Sequence, residues 1–521
     1  MHGFNSDPFA STNSEHEELL ENYFVPPPYF KSVLGDPVDP KTRFVFAPRG
    51  GGKTAQRRMI EVECLDEELP FVCITYDQFD VSSGAELSST DHLRALCRLL
   101  TVAILEYLDR DTNQAEDLNE HQKRVVKVAA ETFAGSLTIS EYHDAFTAVK
   151  SLGERAKEFW HRHGGVIAAA ITIALKKAGL DDINIPAQLR SQAETFEGSG
   201  SYFYNELVEI ITEPLRGGSI YILVDKVDET PATNLDPGAA WSLIKNLALD
   251  LPTLEKKNVG FKFFLWDSLR AEFLSAGGRG DRMQFVTLEG WDPSALGEML
   301  SRRLKTYSDH KIPHFDRLMD PGSAHSGQDL LVRLAHGSPR EMIRMGEAVA
   351  GEHTRIDAAK HSITDDELYA GIRKYSALRS EELYGPELTT LRSLGRSSFT
   401  LKQLKSDLGY QSAAHARSVL EVWLTKGLVT VIGETVNKNG KHKRLYGVTD
   451  ARVLLAMKEY KPMCSLLNEE LFICDACGYT VVLGAERGAC THCHASLVQE
   501  DLVSLDSSAR AAKRRNATHP V

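Results

Sequence analysis

The sequence predicts an α/β protein in which a parallel sheet with a helical lid is followed by a winged helix-turn-helix and a small cysteine-bearing ribbon. Three observations predict it. Several apolar, β-branched runs of strand length end in a glycine-rich or an acidic turn, as strands covered on both faces do. A helical pair followed by two strand-like runs, rich in Lys and Arg, lies beyond residue 383. Two Cys-x-x-Cys pairs stand close to the C-terminus.

The first strand is Phe44-Val45-Phe46. It runs into Ala47-Pro48-Arg49-Gly50-Gly51-Gly52-Lys53-Thr54, and the helix-compatible stretch 55–60 follows. Strand, glycine-rich loop and helix in that order make a phosphate-binding P-loop. Gly50, Gly51 and Gly52 let successive backbone N–H groups turn inward around an anion, and the helix N-terminus adds a favourable dipole. Lys53 then reaches the outer phosphates of ATP, and Thr54 offers its hydroxyl to Mg²⁺. Ala47 stands where the strict pattern has glycine.

The next strands supply the acids. The run 219–224 ends in Asp225-Lys226-Val227-Asp228-Glu229. Asp225 is placed to hold Mg²⁺, directly or through water; Glu229 is the preferred activator of the attacking water and Asp228 its near alternative. The run 259–266 ends at Asp267, which either senses the terminal phosphate or caps the helix that begins near Leu269. Arg279 and Arg282 follow in a glycine-rich loop, as fingers for a neighbouring subunit's nucleotide or as solvated loop residues. After another strand, 284–288, Asp292 and Pro293 open a helix as N-cap and first residue. Gly337-Ser338-Pro339-Arg340 opens a later one and places Arg340 in a first turn, either pointing back over the phosphates from a lid or as an ordinary helix-start residue. Upstream, Tyr23-Phe24-Val25-Pro26-Pro27-Pro28-Tyr29-Phe30 is either an apolar wall for adenine or an arm packed on the core.

Past residue 383 a helix at 388–394, a turn, a second helix at 413–426 stopped by Gly427, and strands at 428–432 and 443–448 outline a winged helix. Between Leu383 and Asp450 ten Lys and Arg face five Asp and Glu, a net +5 within a chain of −12. The basic wing at 437–442, with His415 and Arg417 on the second helix, suits DNA phosphate contacts and groove entry; docking of a protein effector is the other use of such a module. Cys474, Cys477, Cys490 and Cys493 give four thiolates on two knuckles, a closed tetrahedral Zn²⁺ site in a zinc ribbon. His492 and His494 beside them read as surface residues.

Length and composition frame these parts. A chain of 521 residues implies three or four units, and 42% hydrophobic residues support sizeable cores. The acidic balance argues against a protein coated in nucleic acid. The first twenty residues carry no secretory signal, and the cysteine usage suits a reducing, cytoplasmic compartment. The uncharged run Gly164–Leu175 is too short to span a bilayer and reads as a buried helix. The expected organisation is an N-terminal arm (1–40), a P-loop domain (41–290) with a helical insert at about 82–200, a helical lid (291–382), a winged helix (383–460), a zinc ribbon (461–505) and a basic disordered tail (506–521).

Taken together, the loop at Ala47–Thr54, the acids from Asp225 to Glu229, Asp267 and Gly337-Ser338-Pro339-Arg340 resemble the AAA+/STAND superclass of P-loop ATPases. Phe-Phe-Leu-Trp-Asp at 263–267 and Trp-Asp-Pro-Ser at 291–294 resemble its bacterial origin-recognition-like and KAP-like members over roughly residues 20–350. The resemblance implies an ATPase and a homo-oligomer, with a setting in antiviral defence or mobile-element biology. Two departures stand out. Lys226 replaces a small or acidic residue, and the insert lacks the membrane spans of KAP-like relatives, which makes it a soluble regulatory or partner-binding element.

Overall fold

The computed structural model describes residues 3–65, 71–80, 86–110, 115–150, 167–234, 236–357, 362–436, 442–457, 461–483 and 487–518. The tip of the wing at 437–441, Gly484, and the insert residues 151–166, which include the start of the Gly164–Leu175 run, lie outside these. The chain forms two units, Pro26–Glu289 and a second made of Met1–Val25 with Gly290–Val521.

In the first unit, β1 (Arg43–Ala47), β2 (Val72–Tyr76), β3 (Ile220–Val224), β4 (Val259–Trp266) and β5 (Gln284–Thr287) form one parallel sheet in the order β2-β3-β4-β1-β5. Every residue of β2 and β3 is buried, which explains their unbroken apolar sequence. Phe44 of β1 stacks on Phe263 of β4 with ring centroids 4.4 Å apart, and Phe285 packs edge-on and Phe273 tilted against Phe44. This order sets β4 between the loop-bearing β1 and the acid-bearing β3, so the ends of all three strands lie side by side.

The helical insert is part of this core. Its longest helix, Ser89–Arg110, buries Leu96, Leu100, Ile104 and Leu108 in the cluster that also holds Ile74 and Ile222 of the sheet. Asn119 with Gln122, and Thr138 with Glu141, form capping boxes at the next two helices. Tyr76 ties the sheet to the insert: its hydroxyl lies 2.9 Å from His92 Nδ1, and His92 Nε2 lies 3.1 Å from the Leu243 carbonyl. Among the described residues, no helix is long and apolar enough to cross a membrane.

In the second unit, Asp292 caps Pro293–Tyr307 through the Ser294 N–H at 2.7 Å, as its sequence requires. Helices Gly327–Leu334, Pro339–Asp357 and Asp365–Tyr384 follow. The N-terminal arm docks on Pro293–Tyr307. Buried Glu17 meets Arg303 at 2.7 Å and accepts the Tyr23 hydroxyl at 2.9 Å. Tyr23 is therefore part of a packed arm.

The winged helix has helices Pro386–Leu394, Leu401–Asp407 and Ala413–Thr425 against the antiparallel sheet β6-β8-β7, with β6 Ser398–Phe399, β7 Val429–Val436 and β8 His442–Val448. Gly427 ends the third helix in the left-handed region, at φ 66°. The ribbon follows, with β9 (Leu471–Ile473), β10 (Thr480–Val482), β11 (Arg487–Ala489), β12 (Ser496–Val498) and β13 (Val503–Ser504). One expectation is corrected here. The tail expected to be disordered from 506 is helical from Leu505 to Thr518. Its Leu505, Ala509 and Ala512 repeat at helical spacing and are buried, and Asp506 lies 2.7 Å from His325 Nε2, so the segment has an apolar stripe to bury despite Lys513, Arg514 and Arg515.

Candidate functional site

The P-loop connects β1 to the helix Lys53–Glu63. Gly52, at φ 87°, occupies the cap position of that helix in a left-handed conformation, and no side chain caps its first turn. A side-chain cap would compete with an anion for those N–H groups. Lys53 is buried against its own loop, with Nζ 3.3 Å from the Ala47 carbonyl and 3.4 Å from that of Pro48. Thr54 Oγ1 donates to Asp225 Oδ2 at 2.9 Å. The loop on β1 and the acid at the end of β3 thus close on each other across 171 residues of sequence.

The acids at the β3 end have distinct surroundings. Asp225 Oδ2 also receives Arg57 Nε at 3.0 Å, and its Oδ1 receives the Lys226 N–H at 2.9 Å. Arg57 is fully buried and also pairs with Glu61 of its own helix. Lys226, at φ 59°, sends its ammonium 2.7 Å from Asp77 at the end of β2. Its charge is thereby partnered by a carboxylate other than Asp225. Asp228 is buried, whereas Glu229 is exposed. Asp228 Oδ2 receives Arg49 Nε at 3.0 Å, its main-chain carbonyl receives Arg49 Nη2, and its buried Oδ1 has no hydrogen-bond partner among the described residues.

Asp267 follows β4, and its N–H donates to the Ala47 carbonyl at 3.1 Å, so the residue stands beside the start of the P-loop. Its carboxylate accepts the Ser268 N–H at 2.9 Å, and Ser268 is the cap residue of Leu269–Ser275. Arg279 is held by Asp281 within its own loop, at 2.8 Å, and Arg282 by Glu255 at 3.3 Å. Arg340 lies in the first turn of Pro339–Asp357 in the second unit. Sequence reasoning passed over Arg49, Arg57 and Trp266. Arg49 lies inside the motif, and a cation at a variable loop position, opposite acids at a strand end, is the signal that could have found it.

These residues fit a nucleotide with its metal. The loop supplies an uncapped helix start, a short-range lysine and a hydroxyl–carboxylate pair, the donor set that phosphates and Mg²⁺ require.

The four cysteines of the ribbon converge, with all four Sγ atoms within 4.8 Å of one another. Cys474 lies 3.7 Å from Cys493, and Cys477 3.7 Å from Cys490. A regular tetrahedron with Zn–S near 2.3 Å has edges of about 3.8 Å. The four can bind a metal ion such as zinc. Each knuckle ends in a left-handed residue, Gly478 at φ 74° and His494 at φ 61°. His494 thus fills the place glycine fills in the first knuckle. His492 is half-buried and stacks on Tyr479 at 3.9 Å, so it is a packing residue as well as a surface one.

No family model matches the chain, and no curated protein matches it. Three archaeal structures are similar. The ORC1 protein of Aeropyrum pernix in complex with DNA is 13% identical, over 86% of this chain and 96% of that one, with a TM-score of 0.35. The ORC2 protein of Aeropyrum pernix (ADPNP–ADP complexes) is 10% identical over 85% and 98%, with a TM-score of 0.36. Cdc6p from Pyrobaculum aerophilum is 13% identical over 88% and 99%, with a TM-score of 0.31. Likeness of this extent carries no inference about the chemistry of this chain.

Proposed function

We propose that this protein is an ATP-binding and ATP-hydrolysing switch of the AAA+/STAND type that acts on DNA in the cytoplasm, in genome defence or mobile-element biology. The observation that carries the ATPase reading is the P-loop closed on Asp225 through Thr54 at 2.9 Å. The N–H groups of Gly50, Gly51 and Gly52 cradle the phosphates, that of Gly51 by leaving the Pro48 carbonyl it meets at 3.1 Å, and Lys53 exchanges two loop carbonyls for the outer phosphates. Thr54 and Asp225 hold the metal, which when bound offsets charge on the reacting phosphate. An acid at 228 or 229 orients the attacking water. Asp267 senses the terminal phosphate from beside Ala47, and Arg340 does so from the lid. Homo-oligomerisation would give Arg279 or Arg282 a neighbour's nucleotide to reach, each by giving up a loop carboxylate. The cysteine set holds Zn²⁺ structurally, because four thiolates leave no open position.

DNA binding rests on the winged helix. Its third helix is capped by Ser412 at the His415 N–H and presents His415, Arg417 and Ser418 on its exposed face. Arg417, Lys443 and Arg444 make no ion pair among the described residues. A second reading has its own observation. Val422, Leu424 and Val431 are each exposed on the same module, at 44%, 37% and 42%, and apolar side chains left in solvent suit contact with a protein effector on a nucleotide-gated scaffold.

ATP turnover with and without duplex DNA, against Lys53→Ala, tests the proposal. Turnover well above the variant that rises with DNA is expected. DNA-independent turnover favours the effector scaffold; absence of both turnover and nucleotide affinity removes the ATPase reading.

A further inference from the structure

Arg49 occupies an unusual position for a residue of a phosphate-binding loop. Its guanidinium is committed along its edges to groups in the loop that follows β3. Nε donates to Asp228 Oδ2 at 3.0 Å, Nη2 to the Asp228 carbonyl, and Nη1 to Asn234 Oδ1 at 3.1 Å. Its planar face lies over the Trp266 ring, 4.8 Å from the centroid. The Arg49 side chain is 25% exposed, whereas that of Asp228 is 3% exposed. Arg49 therefore covers Asp228 from the solvent side. Behind it, Asp228 Oδ1 is a buried acceptor that no donor among the described residues satisfies, which is costly unless a bound state supplies the donor.

We propose that Arg49 is a positioning residue that exchanges partners: it holds Asp228 in the ATP-free protein and passes to the terminal phosphate of bound ATP. The exchange frees Asp228 Oδ2, uncovers the carboxylate and makes Asp228, rather than Glu229, the acid that orients the attacking water. This rests on the ATPase reading of the P-loop. A phosphate with more charge than a carboxylate and a matching oxygen fork competes well for a guanidinium. Arg49 is three residues from Gly52 in the same loop, which places its side chain near the phosphates that the loop would hold. ADP lacks the group that draws Arg49 away, so ADP leaves Asp228 covered.

The chemical step balances without a further reactant. A lone pair of water forms the new bond to the γ-phosphorus. The bond from that phosphorus to the β–γ bridging oxygen breaks, and its electron pair stays on ADP. The water protons remain with the inorganic phosphate, one hydrogen-bonded to Asp228 Oδ1 during attack.

The test uses the full chain, Mg²⁺, ADP and a non-hydrolysable ATP analogue. The analogue, and not ADP, is expected to change tryptophan emission, with the change lost in Trp266→Phe. Arg49→Ala is expected to bind ADP within about 3-fold of the unaltered protein, which also reports its folding, while kcat falls about 10²-fold and KM changes little. Arg49→Lys restores part of kcat, because it returns the charge without the fork. Asp228→Asn is expected to cost more in kcat than Glu229→Gln. Equal emission responses to ADP and the analogue, full turnover in Arg49→Ala, or a larger loss in Glu229→Gln than in Asp228→Asn overturns the inference. If the unaltered protein turns over ATP while any of these holds, only the inference falls. If it binds no nucleotide at all, the ATPase reading falls with it.

Discussion

Lys262 lies in the middle of β4 with no exposure, its ammonium 2.9 Å from the Lys41 carbonyl and 4.4 Å from the centre of the Tyr221 ring. Burial, with Arg43 nearby as a second cause, pushes its pKa down to about 7. The unfolded chain keeps a lysine proton to about pH 10.4, so between about pH 7 and 10 it binds more protons than the folded one. Stability accordingly rises with pH in that window, by up to roughly 1.4 kcal/mol per unit, and the full destabilisation is present below pH 7. Lys262→Met removes this slope. The stability of the variant relative to the unaltered protein, from urea unfolding, is expected to be highest at pH 7 and to fall steadily toward pH 10; a pH-independent difference would refute it. Single residues were unevenly legible in the sequence. Thr54 and Asp225 lie together at 2.9 Å while Lys53 rests on its own loop, because the motif specifies a backbone path as well as side chains. Arg57 and Lys262 gave no sign, because what a buried cation pairs with depends on which strands become neighbours.

At the scale of elements, the ribbon grips the loop that precedes Arg340. Thr480 donates to the Arg333 carbonyl at 2.9 Å, Arg333 donates back to the Gly478 carbonyl at 3.1 Å, and the Tyr479 hydroxyl donates to the Trp291 carbonyl at 3.0 Å. Gly337, at φ 71°, permits this approach, since a Cβ there would lie 2.5 Å from the Tyr479 oxygen. One residue past Arg340, Glu341 accepts the Tyr375 hydroxyl at 2.6 Å and pairs with Arg452, which also holds Asp450. The lid helix is thereby fixed both to the ribbon and to the segment that leaves the winged helix. Gly337→Ala is expected to cost about 2–4 kcal/mol, from left-handed strain and the clash together. In a Tyr479→Ala background the clash is gone, and the same change should cost only about 1–2 kcal/mol. Urea unfolding of the four proteins measures the coupling, and additive costs would deny the grip. Metal removal acts on the same elements: one equivalent of Zn²⁺ per chain is expected, and a chelator or Cys474→Ser should lower Tm. The winged helix and ribbon were legible because caps, turns and ligand spacings are local signals. The C-terminal helix was missed because its net basic surface masked a stripe of one leucine and two alanines.

For the whole molecule, the question is what a net acidic chain does with a basic module. The overall charge of −12 disfavours encounter with DNA, so the proposed binding would have to come from a local field. Two of the basic residues of the winged helix are already spent, Arg396 on Asp407 at 2.7 Å and Lys426 on Glu387 at 2.8 Å. Arg417, Lys443 and Arg444 remain on the third helix and on β8, while Lys441 lies outside the described residues. Each phosphate contact releases counterions and adds about 0.9 to the slope of log K against log salt on duplex DNA. The double change Lys443→Glu with Arg444→Glu removes two such contacts. Duplex affinity should then fall at low salt by at least an order of magnitude, and the slope should shrink by about 2. Basal ATP turnover should be unchanged, because β8 is not part of the P-loop site. Affinity measured by fluorescence anisotropy across a salt series decides the matter. An unchanged slope with unchanged affinity would move the exposed apolar side chains of Val422, Leu424 and Val431 to the centre, and with them the protein effector.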